Sequence, residues 1–341
     1  MDIQQLRQTA EKLVGQGRGI LAVDESTPTC NKRFAVLGID TTETNRQAYR
    51  QLLLTGEGLN EYVGGAILFD ETIRQHLSDG RTFPEFMADQ GLVPGIKVDT
   101  GAKTLAGQPG ESVTEGLDGL RDRLTEYHTL GARFAKWRAV IAIGEGLPSS
   151  ACLNANAHAL ARYAALCQEA GLVPIVEPEV LMEGEHGIDQ CQEATSAALT
   201  AVFDQLDNQG VDLQGIVLKP NMVVSGMSSS ENIDSREVAE RTMNCLLAHV
   251  PAAVPGIAFL SGGQSDEKAT EHLNLLNQIE ETPPWSLTFS YGRALQRRAL
   301  ETWAGDSQNT EAAIAQLLER ARANSRAALG QHTPETDFTE G

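Results

Sequence analysis

Short apolar runs recur along this chain at residues 19–24, 64–70, 93–98, 133–140, 173–179, 215–219, 256–261 and 286–290. Stretches with apolar residues at helical spacing lie between most of them, including 150–170, 189–206, 235–249 and 267–279. Eight strands alternating with helices predict a parallel sheet covered by helices, and a closed (β/α)8 TIM barrel of the α/β class is the expected form. Alternation alone also fits an open doubly wound sheet. Closure is favoured by what ends the runs: Asp24, Asp70, Lys97, Lys136 with Arg138, Glu177 with Glu179, Lys219, Ser261 and Ser290. A barrel brings those ends to one face, where barrel enzymes place their chemistry.

An extra helix is expected over 1–15, with Leu6, Leu13 and Val14 on one face and Gly15, Gly17 and Gly19 stopping it. That glycine set precedes a strand, so it is a turn and not a dinucleotide fingerprint. Another amphipathic helix is expected over 310–328, and a polar tail follows it. No internal repeat or low-complexity linker divides the chain. The expected organisation is one catalytic barrel domain over 1–330 and a mobile tail over 331–341.

Composition narrows the partners. The 341 residues are 41% hydrophobic, enough for a substantial core, yet no run approaches the ~20 apolar residues that span a bilayer. The polar, amphipathic start of the chain is unlike a signal sequence. Five dispersed cysteines with no C-x-x-C pair argue against a disulfide scaffold or a structural zinc site, and a cytoplasmic location fits. The formal charge of −19 opposes nucleic acid and anionic membranes as partners. It admits a small anionic substrate only where local cations outweigh the global field.

The chemistry centres on residues 215–224, an apolar run that delivers Lys219 and is ended by Pro220. An amine set among apolar groups loses solvation of its charged form and becomes available to attack a carbonyl. With strands closing in chain order, Lys136, Glu177 and Lys219 come from neighbouring fourth, fifth and sixth strands. Imine chemistry needs a nucleophilic lysine, a carboxyl group to move the protons of dehydration and a second cation; Lys219, Glu177 or Glu179, and Lys136 supply these. The same carboxylates also suit plain salt bridges to Lys136 and Arg138. Asp24 is a further candidate base, or else the cap of the next helix. Ser261, Gly262 and Gly263 follow the seventh strand, and Ser290 and Arg293 follow the eighth, where barrels commonly hold a phosphate. Lys32, Arg33 and Lys97 offer a second anion contact. The seven histidines show no metal-ligand spacing, so metal catalysis is not expected.

The strings LAVDEST at 21–27, GAILFDET at 65–72, GIKVD at 95–99, FAKWR at 134–138, VPIVEPE at 173–179, LKPNMV at 218–223, FLSGGQS at 259–265 and SYGRALQ at 290–296 resemble, in order, the class I, Schiff-base fructose-1,6-bisphosphate aldolases. The resemblance runs from about residue 5 to about residue 330. It implies that Lys219 forms the imine, Glu177 is the acid and base of dehydration with Glu179 supporting it, Asp24 takes the C4 hydroxyl proton, and Lys136 supplies positive charge. It also implies that Ser261, Gly262, Gly263, Ser290 and Arg293 hold one phosphate, with Arg33, Lys97 and Arg138 near the other end of the sugar. A cofactor-free cytoplasmic homotetramer acting on a sugar phosphate is expected.

Two departures stand out. Pro28 and Thr29 replace a Gly-Ser pair of the family's loop, and the tail ends Phe338-Thr-Glu-Gly341 where many members end in tyrosine. The alternatives are a sedoheptulose bisphosphate aldolase or other imine-forming barrel lyase, and a non-catalytic sugar-phosphate-binding protein.

Overall fold

The computed structural model describes residues 2–280 and 282–333; Met1, Glu281 and most of the expected tail, 334–341, lie outside the described residues. Among the described residues ten strands are present: β1 (Gly19–Ala22), β2 (Val63–Leu68), β3 (Val93–Lys97), β4 (Ala102–Thr104), β5 (Ser112–Thr114), β6 (Phe134–Ile141), β7 (Val173–Val180), β8 (Val217–Leu218), β9 (Gly256–Phe259) and β10 (Ser286–Tyr291). All but β4 and β5 form a closed parallel barrel, with β1 pairing both β2 and β10. The eight barrel strands fall on the eight expected runs, and helices cover them in a single-domain (β/α)8 fold.

Period two along each strand explains how one stripe of side chains serves both core and site. Ile20, Ala22, Phe134, Val173, Ile175 and Val217 fill the barrel interior in one cluster with Ala258. Two residues further along the same faces come Asp24, Lys136, Glu177 and Lys219, so the lining changes from hydrocarbon to charge at the C-terminal ends. The opposite end is plugged by the helix Ile3–Val14. Its buried Leu6, Ala10, Leu13 and Val14 join that same interior cluster.

Two details differ from expectation. The sixth barrel strand is only Val217–Leu218, because a 3₁₀ turn at Leu213–Gly215 precedes it and Pro220 follows. The antiparallel hairpin of β4 and β5 was not foreseen. Its strands are short, and β4 is exposed throughout, so no alternation of burial marks it in the sequence.

Candidate active site

Lys219 stands where regular pairing stops, and the chain around it is fastened by other means. The Lys219 N–H donates to the Val176 carbonyl at 2.8 Å, and the Pro220 carbonyl accepts from Leu260 N–H at 3.1 Å. Asn221 then takes over from the ladder: its Oδ1 accepts the Val180 N–H at 3.0 Å while its Nδ2 donates to Thr195 Oγ1, also at 3.0 Å. Asn221 is a positioning residue that was not singled out in the sequence; its place in the LKPNMV string is the available signal.

A chain of four buried ionisable groups crosses the barrel mouth. Lys136 Nζ lies 3.1 Å from Asp24 Oδ2 and 3.0 Å from Glu177 Oε2, while Glu177 Oε1 lies 3.1 Å from Lys219 Nζ. All four residues are at most 8% exposed. Burial alone would push the Asp24 carboxyl up, but Lys136 and then Lys219 hold it down to about 2. Burial likewise opposes ionisation of Glu177, and Lys136, Lys219 and Arg138 overrule it. Lys136 loses solvation, yet Asp24 and Glu177 hold its ammonium well above the ordinary lysine range. The site is thus a fixed cation flanked by two carboxylates, one of which reaches the second amine. The expectation that Lys219 comes from the strand after that of Glu177 is met by the barrel order.

These residues line a cavity of about 440 Å³. Six lining residues are basic and five acidic, a local excess of cations inside a strongly acidic chain. Most of the cations are engaged. Arg33 pairs with Glu25 at 2.6 Å, Lys97 with Asp99 at 2.7 Å, and Arg138 with Glu179. Glu179 therefore meets Arg138 and not a lysine. Among the described residues Arg293 is the lining cation with no carboxylate partner, and it opens the helix Arg293–Trp303. Beside it, Ser290 is buried and its Oγ has no hydrogen-bond partner. Ser261 and Gly262 complete that wall. A Cβ on Gly262 would lie 2.8 Å from Leu260 Cδ1 and 3.2 Å from Glu179 Oε1, so the loop runs close to both side chains.

Twelve of the thirteen expected site residues line this cavity; Gly263 does not. Gly263 holds a left-handed φ of +73°, with Met182 where a Cβ would stand, so its contribution is the turn itself. The departure at Pro28 and Thr29 is also accommodated. Pro28 sits in the first turn of the helix Thr27–Val36, and Thr29 lines the cavity with its hydroxyl 3.0 Å from that of Ser26. Asp24 faces the cavity and Ser26 occupies the helix N-cap position, which separates the two roles left open for Asp24.

Reasoning from sequence missed Glu25, Asp99 and Arg50. Glu25 receives Arg33 on one oxygen and the buried Arg50 on the other, both at 2.6 Å, and those guanidiniums outweigh its burial to keep it ionised. Arg50 interrupts the apolar face of its helix between Tyr49 and Leu52, which is the signal that a buried acid awaits it.

Among the described residues, no helix is long and apolar enough to cross a membrane, and no three His, Cys, Asp or Glu side chains are grouped to hold a metal ion. A parallel barrel with its ionisable side chains gathered at the C-terminal rim is the arrangement of a barrel enzyme. Comparison with known proteins narrows the class. A family model described as fructose-bisphosphate aldolase class-I matches residues 5–340. A probable class 1 fructose-bisphosphate aldolase of Xanthomonas campestris pv. campestris is 58% identical over 332 residues, covering 97% of this chain and 99% of the relative. The cytosolic fructose-bisphosphate aldolase 4 of Arabidopsis thaliana is 49% identical over 325 residues, 95% of this chain and 83% of the relative. Among solved structures, the fructose-bisphosphate aldolase of Plasmodium falciparum, determined in complex with TRAP and a small-molecule inhibitor, superposes with a TM-score of 0.95 at 45% identity, covering 97% of this chain and 95% of that one. The chain belongs to the class-I fructose-bisphosphate aldolase family, a family of lyases.

Proposed function

We propose that this protein reversibly cleaves fructose 1,6-bisphosphate to dihydroxyacetone phosphate and glyceraldehyde 3-phosphate through an imine on Lys219. The observation that carries the reading is the buried run Asp24, Lys136, Glu177, Lys219, in which one carboxylate touches both amines. Glu177 takes a proton from the Lys219 ammonium that it touches, the freed Nζ adds to the C2 carbonyl, and Glu177 returns that proton to the departing hydroxyl, so that water leaves and a protonated imine forms. Asp24 accepts the proton of the C4 hydroxyl. The C3–C4 bond then breaks, its electron pair passes to the imine as an enamine, and the aldehyde product departs. Protonation at C3 and hydrolysis of the imine return Lys219 and release the ketose phosphate. Lys136 supplies fixed positive charge beside the reacting carbons, and Glu179 keeps Arg138 in place.

Ser261, Gly262, Ser290 and Arg293 are assigned to one phosphate, with Gly263 setting the turn; Arg33, Lys97 and Arg138 are assigned to the other end of the sugar. The unpaired Arg293 guanidinium and the unpartnered Ser290 hydroxyl support that division. A cytoplasmic homotetramer is the assembly proposed, and light scattering at micromolar protein tests it: a monomer mass would refute it.

Reduction with borohydride in the presence of dihydroxyacetone phosphate, followed by digestion and mass spectrometry, tests the reaction. An adduct on Lys219 is expected. No adduct in a protein that still binds the phosphate would favour a non-catalytic binder, and efficient turnover of sedoheptulose 1,7-bisphosphate alone would favour the other bisphosphate aldolase.

A further inference from the structure

The helix behind the Ser261–Gly263 loop, Asp266–Leu276, begins with two acids, Asp266 and Glu267. Carboxylates there use the same amide dipoles that an anion in the loop would use, and they repel that anion. Each is met by an arginine from the helix that follows the other phosphate loop. Arg297 donates through Nε at 3.1 Å and Nη2 at 2.9 Å to Asp266 Oδ2. Arg298 Nη2 reaches Glu267 Oε1 at 2.7 Å, and its Nη1 reaches Glu319 at 3.3 Å. The helix that presents Arg293 to the cavity therefore also carries two consecutive guanidiniums to the acidic start of its neighbour.

Resting on the phosphate site assigned above, we propose that Arg297 and Arg298 are positioning residues that neutralise this acidic turn, so that a phosphate dianion meets Arg293 and the buried, unpartnered Ser290 hydroxyl in a positive field. Asp266 is almost fully buried, so its charge is poorly screened by water. Glu267 stays charged throughout the working range, since the backbone N–H at the helix start and then Arg298 hold its carboxyl at about 2.

The test separates charge from scaffolding. The dissociation constant of inorganic phosphate, read by calorimetry, and the KM and kcat for fructose 1,6-bisphosphate are compared in Arg297→Ala, Asp266→Asn and the double variant. Arg297→Ala is expected to weaken phosphate roughly three- to fivefold and to raise KM in step, with kcat within about twofold. Adding Asp266→Asn should restore both values. A double variant as weak as Arg297→Ala, or an Arg297→Ala that binds phosphate normally, would overturn the proposal. The more exposed pair Arg298→Ala with Glu267→Gln carries the same sign pattern should the buried pair compromise folding. Because inorganic phosphate binds without chemistry, failure of imine trapping would refute the reaction at Lys219 and leave this comparison intact.

Discussion

Replacing Lys136 with methionine removes a cation that touches both Asp24 and Glu177. In the intact site Asp24 titrates at about 2 against an ordinary value of 3.8, which corresponds to roughly 2 kcal/mol of stability. Because the folded value is depressed, that contribution is present above pH 4 and disappears as the pH falls towards 2. Without Lys136 the sign reverses. Asp24 is then left with Lys219 and Lys97, and Glu177 with Lys219 and Arg138, so burial pushes their pKa values up from those of the intact site, and the penalty for keeping them charged is greatest at neutral pH. Breaking a buried pair in this way costs about 3–5 kcal/mol, and the cost falls by at most ~1.4 kcal/mol per pH unit for each proton taken up. Urea unfolding of both proteins at pH 7 and pH 5 measures the difference. Lys136→Met is expected to be destabilised by about 3 kcal/mol at pH 7 and by clearly less at pH 5. An equal destabilisation at the two pH values would refute the charge argument and reduce Lys136 to a packing group. Turnover in the same variant is expected to fall about 10²–10³-fold while borohydride still labels Lys219, since the amine and its contact with Glu177 remain.

Lys219→Ala and Glu177→Ala are each expected to cost several orders of magnitude in kcat, and Lys219→Ala also abolishes the trapped adduct; near-normal steady-state rates in both would remove their assigned roles. Glu25→Gln leaves Arg50, with a side chain only 3% exposed, facing a neutral amide, and roughly 3 kcal/mol of stability at neutral pH should be lost in chemical denaturation. Since arginines hold the Glu25 carboxyl below 4.5, the intact protein should lose this contribution in acid, whereas Glu25→Gln should show a flatter acid limb. The formal charge of −19 implies surface self-repulsion, so melting temperature and activity are expected to rise with added potassium chloride, and a flat response in differential scanning fluorimetry and rate assays would dismiss salt as the reason for the acidic surface.

What the sequence makes legible here follows from periodicity. A strand whose inward face is apolar and turns charged two residues further on announces both the barrel and its active end, and β1, β6, β7 and β8 each do so. The runs at 19–24, 133–140, 173–179 and 215–219 therefore bring Asp24, Lys136, Glu177 and Lys219 to one rim of the barrel. What stayed hidden are the partners that period two does not report. Glu25 is one residue beyond Asp24 and turns to the Arg33 and Arg50 guanidiniums, both of which are delivered by helices and not by the strand pattern. Asp99 sits just past β3, where it binds Lys97 and also accepts the Arg138 N–H at 3.3 Å; no spacing rule links those three positions until the barrel closes. The hairpin of β4 and β5 brings Gly101 and Ala102 to the cavity through exposed polar residues that carry no alternation at all. Strand periodicity thus selects the groups that face the reacting carbons, while the acids and arginines that hold those groups charged and oriented come from loops and helices. The consequence is that substitutions at Glu25 or Arg50 act on substrate affinity and acid stability before they act on the chemical step, and a kcat lowered far more than KM in Glu25→Gln would contradict that order.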